Sequence, residues 1–301
     1  MIDLLKTGEC PKGRTSVALG LFDGIHSGHI AVIEKMLSLC GDGISSAVFT
    51  FSEGTLSTKS GGAIISDNIK KEMLDGMGVQ YIYAPDFASV KDMPPDEFVK
   101  EILKKQLNAK HIVCGRNFRF GKGASADCDD LARICASEDI EVHIEELREY
   151  RGEAVSSSGI RRYLADGNIH DVNNMLGREF SIKGEVIGGN RVGRTLNFPT
   201  INQRIPENFT DIRRGVYSSA VDIDGIVYDA ITNIGVKPTV TDGSVLLAET
   251  HILGFAREIY GETVEVRLRE FVRDEKKFSS KDELKAQVGN DIDAVKKKIK
   301  R

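Results

Sequence analysis

His26 and His29, three residues apart with Gly28 between them, are the side chains in this sequence best suited to handling phosphate. An imidazole N–H donates to a phosphoryl oxygen, and residues three apart lie on one face of a helix. The pair follows an apolar run at residues 17–19 and precedes Ile30, Ile33 and Leu37 at helical spacing, so it falls between a strand and the first turn of a helix. Unpaired backbone N–H groups and the positive end of the helix dipole favour an anion there. Gly24 and Gly28 keep side chains from blocking that backbone. Further along, Gly188, Gly193, Arg194 and Thr195 have nearly the spacing of a Walker A loop. Arg194 stands where that loop needs lysine, and the surroundings are strand-rich rather than strand-to-helix, so a P-loop is excluded.

The elements that must hold these residues change character along the chain. In the first half, strands are predicted at 17–19, 47–51, 79–83, 111–114 and 140–144. They alternate with helical patterns at 30–37, 69–74, 94–107 and 131–136, the third opened by Pro94-Pro95. Such alternation implies a parallel sheet covered on both faces, with ligands beyond the carboxyl ends of its strands. After about Ser156, two short helices at 158–165 and 169–176 lead into strands at 182–187, 216–223, 226–234, 246–253 and 263–268. Asp224-Gly225 marks a hairpin, and short strands at this spacing suggest a sandwich or closed barrel. Ser280 and Glu283 have capping-box spacing ahead of an apolar stripe, Leu284, Val288, Ile292, Val295 and Ile299, that predicts a terminal helix. The domain boundary is expected near residues 177–181, giving domains 1–180 and 181–301.

Composition narrows the class. A chain of 301 residues with 41% hydrophobic content can build two cores. Forty-one Lys and Arg against 45 Asp and Glu leave a net charge of −4, without the basic field that nucleic acid or an anionic membrane needs. The Lys296-Lys297-Lys298 run reads as a solvated helix end. The N-terminal stretch lacks a signal-peptide layout, and no apolar run reaches the ~18 residues of a membrane span. Five cysteines without a C-x-x-C pair fit neither a disulfide framework nor a zinc site. The expectation is a cytoplasmic enzyme with no nucleic-acid, membrane or obligate protein partner.

The His26-x-Gly28-His29 string resembles the signature of the nucleotidyltransferase superfamily, which transfers an adenylyl group from ATP and expels pyrophosphate. The longer string at 20–29, with Gly20, Phe22, Asp23 and Gly24, resembles the corresponding motif of the bacterial bifunctional riboflavin kinase/FAD synthetase family. Residues 115–123 match that family's G-x-x-F-x-F-G-x-G element, which implies that Asn117, Phe118 and Arg119 lie near the substrates. Residues 155–164 match its S-S-T-x-I-R element, with Ser157, Ser158 in the threonine position and Arg161 as the arginine. Residues 193–202 resemble the riboflavin kinase signature G-R-x-L-G-F-P-T-A-N, and segments 214–221, 232–240, 248–255, 258–266 and 271–280 follow in the family's order. Two departures stand out: Leu21 replaces the usual asparagine, and Ser52-Glu53-Gly54 replaces a Pro-His-Pro type element.

The resemblance implies a Rossmann-like, doubly wound α/β nucleotidyltransferase domain joined to an antiparallel β-barrel riboflavin kinase domain with a terminal helix. ATP and riboflavin would give FMN, and FMN with a second ATP would give FAD, both with Mg²⁺. An FMN phosphate oxygen is ionised at neutral pH, so adenylyl transfer needs positioning and charge cancellation rather than a base. His26, His29 and Arg161 have suitable donors. Ser156 to Ser158 would serve as both helix cap and triphosphate contact, and Asp23 would either form the turn or steer magnesium. Phosphoryl transfer to an alcohol needs a glycine-rich cover, a metal ligand and a base. Gly188 to Gly193 with Arg194 supply the first, and Thr200, fixed behind Pro199, and the Asn202 carbonyl supply the second. By the family match Glu249 is the base and Arg273 a candidate partner for the flavin phosphate; His251 packs on the same strand face. The alternative is an active kinase whose N-terminal half binds flavin or nucleotide but makes little FAD.

Overall fold

The computed structural model describes residues 1–52, 61–188, 198–238 and 244–299. The chain divides into two compact units, Met1–Ser157 and Ser158–Arg301. In the first, strands β1 (Ile2–Asp3), β2 (Arg14–Leu19), β3 (Ile44–Phe49), β4 (Tyr81–Tyr83), β5 (Ala109–Gly115) and β6 (Glu141–Glu145) form one parallel sheet in the order β1-β4-β3-β2-β5-β6. Helices α1 (Leu4–Thr7), α2 (Ser27–Ser38), α3 (Asp67–Gly76) and α4 (Phe87–Val90) lie between the early strands. Helix α5 (Pro95–Glu97) runs on as a π-helix, Phe98–Gln106, and α6 (Cys128–Ala136) precedes β6. From β2 the chain builds outward through β3 and β4, then returns to add β5 and β6 on the other side. Strand order therefore reverses between β2 and β5, where such sheets bind ligands.

β2 is buried almost throughout because both faces are covered. Val17, Leu19, Ile112 and Cys114 pack against Phe98, Leu103, Leu131 and Cys135 on one face. On the other face α2 turns Val32, Ile33 and Met36 inward, and the Ser16 hydroxyl donates to the Met36 carbonyl at 2.9 Å. The cysteines are free; burial pushes the Cys114 and Cys135 thiols up to about 12, so these two are inert packing groups at neutral pH. β1 was beyond the reach of periodicity, since two residues carry no pattern. A short hairpin, β7 (Glu149–Tyr150) and β8 (Glu153–Ala154), ends the unit.

The second unit holds most of α7 (Ser157–Asp166), α8 (Ile169–Leu176) and strands β9 (Phe180–Glu185), β10 (Thr200–Arg204), β11 (Gly215–Ile223), β12 (Ile226–Pro238), β13 (Ser244–Ile252) and β14 (Thr263–Arg273). The strands run antiparallel in the order β10-β13-β12-β11-β14-β9. The two edges meet where Ile187 bridges Asn202, and buried Gln203 donates to the Gly184 and Val264 carbonyls at 2.8 and 2.7 Å, closing the barrel. Asp224 and Gly225 both take positive φ, as a two-residue hairpin between right-twisted strands requires. The compact units divide earlier than the expected 180/181 boundary, because α8 is fastened to the barrel. Asn173 donates to the Leu268 carbonyl at 3.0 Å and accepts from the Phe180 amide at 2.7 Å.

Helix α9 (Lys281–Ile299) buries Ile292 and Val295 against Val216 and Ile231. Its Asp291 carboxylate, only 6% exposed, takes a forked ion pair from Arg273 at 2.7–3.1 Å. Asp291→Ala strands a largely buried guanidinium. It should cost about 2 kcal/mol of barrel stability, below the ~3–5 kcal/mol of a fully enclosed pair because Arg273 keeps contact with water. Urea unfolding followed by far-UV circular dichroism measures the loss.

Candidate functional site

At the carboxyl ends of β2, β3, β5 and β6 lies a cavity of about 590 Å³. The backbone leaves β2 through a tight turn in which Phe22, Gly24 and Ile25 all take positive φ. Phe22 is fully buried, and a Cβ on Gly20 would come 3.0 Å from its ring, so only glycine admits this close approach. The turn delivers His26 to the N-cap of α2, where its Nδ1 accepts the His29 amide N–H at 3.3 Å. That bond fixes the tautomer: His26 carries its proton on Nε2. The two imidazoles stack with centroids 3.6 Å apart and 14° between planes, and the Phe22 ring abuts His29 edge-on at 5.2 Å.

Burial, then the nearby His26 ring and the Lys70 charge, hold His29 well below the ordinary imidazole range. His29 is therefore neutral at pH 7, and its buried Nδ1 has no hydrogen-bond partner among the described residues. A ligand group entering the cavity is what such an atom lacks. Asp23 acts in the turn: its carboxylate accepts the Ile64 amide at 2.9 Å, and its carbonyl accepts the Ser157 hydroxyl at 2.9 Å. The second bond draws the start of α7 to the histidine turn.

Of the residues expected here, Gly20, Phe22, His26, Gly28, His29, Asn117, Arg119 and Ser157 all line the cavity. Asp23 and Gly24 sit behind it in the turn. Ser158 and Arg161 fall in the second compact unit, on α7. Leu21 lines the cavity with an exposed side chain, while its carbonyl accepts the Thr50 hydroxyl at 2.8 Å. The fold uses only its backbone, so leucine in place of asparagine leaves the turn intact. Ser52 is exposed enough to bond Asp86 at 2.8 Å; Glu53 and Gly54 lie outside the described residues.

Sequence reasoning reached Phe118 but missed the rest of an aromatic wall. Phe49, Phe51, Phe87 and Phe98 meet edge-to-face at 5.2–5.3 Å, and Phe118 stacks on Phe120 at 5.9 Å. All six line the cavity and would hold a planar aromatic ligand. Lys70 was missed too. It is buried on α3, paired with Asp67 at 3.1 Å and bonded to the Phe51 carbonyl at 3.5 Å, and it adds a positive charge beside the histidines.

The barrel has its own cavity, about 400 Å³, lined by Thr200, Asn202, Asn233, Lys237, Glu249, His251 and Arg273 among others. Register puts Glu249 between Asn202 on β10 and Asn233 on β12, so three strands bring these groups together. The buried Asn202 Oδ1 has no hydrogen-bond partner among the described residues. Glu249 is ion-paired with Lys237. His251 donates from Nδ1 to the Pro199 carbonyl at 2.8 Å and meets Phe198 edge-on, a packing role. Arg273 lines the cavity with its guanidinium engaged by Asp291 rather than free for a phosphate. Pro199 lines a smaller pocket of about 70 Å³ that shares Thr200 and Asn202. Gly188 lines neither cavity, and Gly193 and Arg194 lie outside the described residues.

A doubly wound sheet with stacked histidines at a helix start, followed by a closed antiparallel barrel with its own polar cavity, defines a two-domain enzyme built on a nucleotidyltransferase-type α/β unit. Residues 10–159 match the family model for FAD synthetase, and residues 176–299 match that for riboflavin kinase. A bifunctional riboflavin kinase/FMN adenylyltransferase from Listeria monocytogenes is 33% identical over 91% of this chain and 89% of its own length. The enzyme of the same name from Escherichia coli K12 is 30% identical over 94% and 92%. A Streptococcus pneumoniae protein, solved as a macrolide-efflux protein, superposes with a TM-score of 0.86 at 30% identity, covering 98% of both chains. The chain belongs to the bifunctional riboflavin kinase/FMN adenylyltransferase family. No described helix is long and apolar enough to cross a membrane.

With its folded value depressed below the ordinary 6.5, His29 stays unprotonated while an unfolded chain would take up a proton. Its contribution to stability is present above about pH 6.5 and is lost as pH falls toward the folded value. In an NMR pH titration, the His29 Cε1–H resonance should show no titration step between pH 7.5 and 6, whereas an exposed histidine completes about two-thirds of its shift in that range.

Proposed function

We propose that the cavity of the α/β unit transfers the adenylyl group of ATP to FMN, and that the barrel cavity phosphorylates riboflavin, with the following division of labour. At the first site, an FMN phosphate oxygen attacks the α-phosphorus of ATP and pyrophosphate leaves. The α2 N-terminus and the histidine N–H groups bind the phosphates, with His29 acting as a neutral donor because burial depresses its protonation. Gly20, Gly28, Asn117, Arg119 and Ser157 shape the nucleotide side, and the phenylalanine wall takes the isoalloxazine. Ser158 and Arg161 are assigned to this reaction on the family motif alone, as are Gly188, Gly193 and Arg194 to the phosphate cover of the second.

At the second site, the terminal ribityl hydroxyl attacks the γ-phosphorus of ATP, the bond to the β–γ bridging oxygen breaks and ADP leaves, while Glu249 accepts the hydroxyl proton with Lys237 fixing the carboxylate. The orphaned Asn202 Oδ1 beside the Thr200 hydroxyl is a hard oxygen donor set that fits Mg²⁺. Thr200 and Asn202 would hold the ion, which when bound neutralises charge on the transferring phosphates. The same reading assigns 1–180 to FMN adenylyltransferase and 181–301 to riboflavin kinase, and makes the protein cytoplasmic with no nucleic-acid, membrane or obligate protein partner.

The observation that carries this reading is the pairing of His26 and His29 at the mouth of an aromatic cavity, in a chain whose barrel presents Glu249 and Asn202 together. Riboflavin and Mg-ATP should yield FMN and then FAD, resolved by chromatography, and chelation with EDTA should stop both. His29→Ala should slow FAD formation by about 10²–10³ while leaving FMN formation intact. Glu249→Gln should do the reverse, slowing riboflavin phosphorylation by about 10²-fold or more with FMN still converted to FAD. Loss of both activities in either variant would contradict two separate sites.

A further inference from the structure

His111, Glu141 and His143 lie together on β5 and β6, and neither reaction uses them. Residue 111 pairs with 141 and residue 113 with 143 across the parallel ladder, so the three side chains stand on one face of two neighbouring strands. Val142 and Ile144 pack into the core on the opposite face. His143 Nε2 is 3.4 Å from His111 Nδ1, His111 Nδ1 is 3.4 Å from a Glu141 oxygen, and His143 Nε2 is 3.6 Å from the other. Three donors around a tetrahedral ion with bonds of ~2.0–2.1 Å sit about 3.3–3.4 Å apart. The observed triangle has that size.

We propose that His111, His143 and Glu141 form a binding site for a divalent transition metal of the zinc class. The donor set suits it: two imidazoles and one carboxylate favour Zn²⁺, Co²⁺ or Ni²⁺ over Mg²⁺, which prefers oxygen alone. Charge suits it too, since Glu141 and Glu145 act on His143 against the single positive charge of Lys35. The imidazoles are largely buried, with side chains 16% and 19% exposed, whereas Glu141 is 61% exposed and leaves an open side for water as fourth ligand. His111 and Glu141 are each four residues before Gly115 and Glu145 of the α/β cavity, about 13 Å along the strands. The metal site is thus separate from the phosphate-binding end, and its occupant would clamp edge strand β6 to β5.

The test is calorimetric titration of EDTA-stripped, dialysed full-length protein with ZnCl2. Expected are a Zn²⁺ isotherm in the wild type, no matching one with MgCl2, and a fall in Zn²⁺ affinity of roughly tenfold or more in His143→Ala and His111→Gln. Glu141→Gln, on an exposed side chain, should weaken binding without touching the fold, and far-UV circular dichroism checks all three variants. Co²⁺ should give ligand-field absorption in the wild type that these variants lose, and Zn²⁺ should raise the wild-type Tm more than theirs. Unchanged Zn²⁺ affinity in the folded variants, no isotherm in the wild type, or loss of binding in His29→Ala in place of His143→Ala would each overturn the assignment.

Discussion

The hydrogen bond from the His29 amide to His26 Nδ1 governs the first half of this molecule. It caps α2, sets the tautomer of His26 and brings the two rings into a stack. Burial, the neighbouring His26 ring and the Lys70 charge hold His29 below the ordinary imidazole range, so at neutral pH it offers a dipole rather than a cation. For an ionised phosphate nucleophile that choice has a clear benefit. Donors stabilise charge at the α-phosphorus without holding the attacking phosphate as a tight ion pair. The buried Phe22 ring, the tight turn at Gly20 and the Ser157–Asp23 bond all keep that cap in place.

The barrel solves a related problem with different parts. Its oxygen donors come from neighbouring antiparallel strands, so register alone sets Asn202 across from Glu249 and Glu249 across from Asn233. A one-residue slip would turn each to the other side of the sheet. Closure by the Ile187 bridge and the buried Gln203 amide guards against that slip, and the Arg273–Asp291 pair ties α9 against the cavity it helps to line.

Much of this was legible beforehand where a local pattern carried the information. The alternation of the first half, the Asp224-Gly225 hairpin and the apolar stripe of α9 all rest on nearest-neighbour physics, and each stands where expected. The His26-x-Gly28-His29 string and the family segments pointed to several of the residues that line the two cavities. The aromatic wall was invisible because Phe51, Phe87 and Phe98 share no spacing; three separate loops and helices bring them together. The Arg273–Asp291 pair was hidden because Asp291, eighteen residues on, is an unremarkable helical aspartate until α9 folds back. The compact-unit division after Ser157 was missed for a similar reason: α8 looks the same in sequence whichever domain it covers.

The periodicities, the helix start at His26 and the chemical types at both candidate sites could be read from the order of residues. Those are properties of residues a few positions apart. Which ionisable groups are neutral and which are paired, and which polar atoms lack a partner among the described residues, followed from folding. Desolvation and Coulomb energy depend on distance in space, and His29 with Lys70, Asn202 with Glu249, and His111 with His143 are brought near each other by the fold, not the chain.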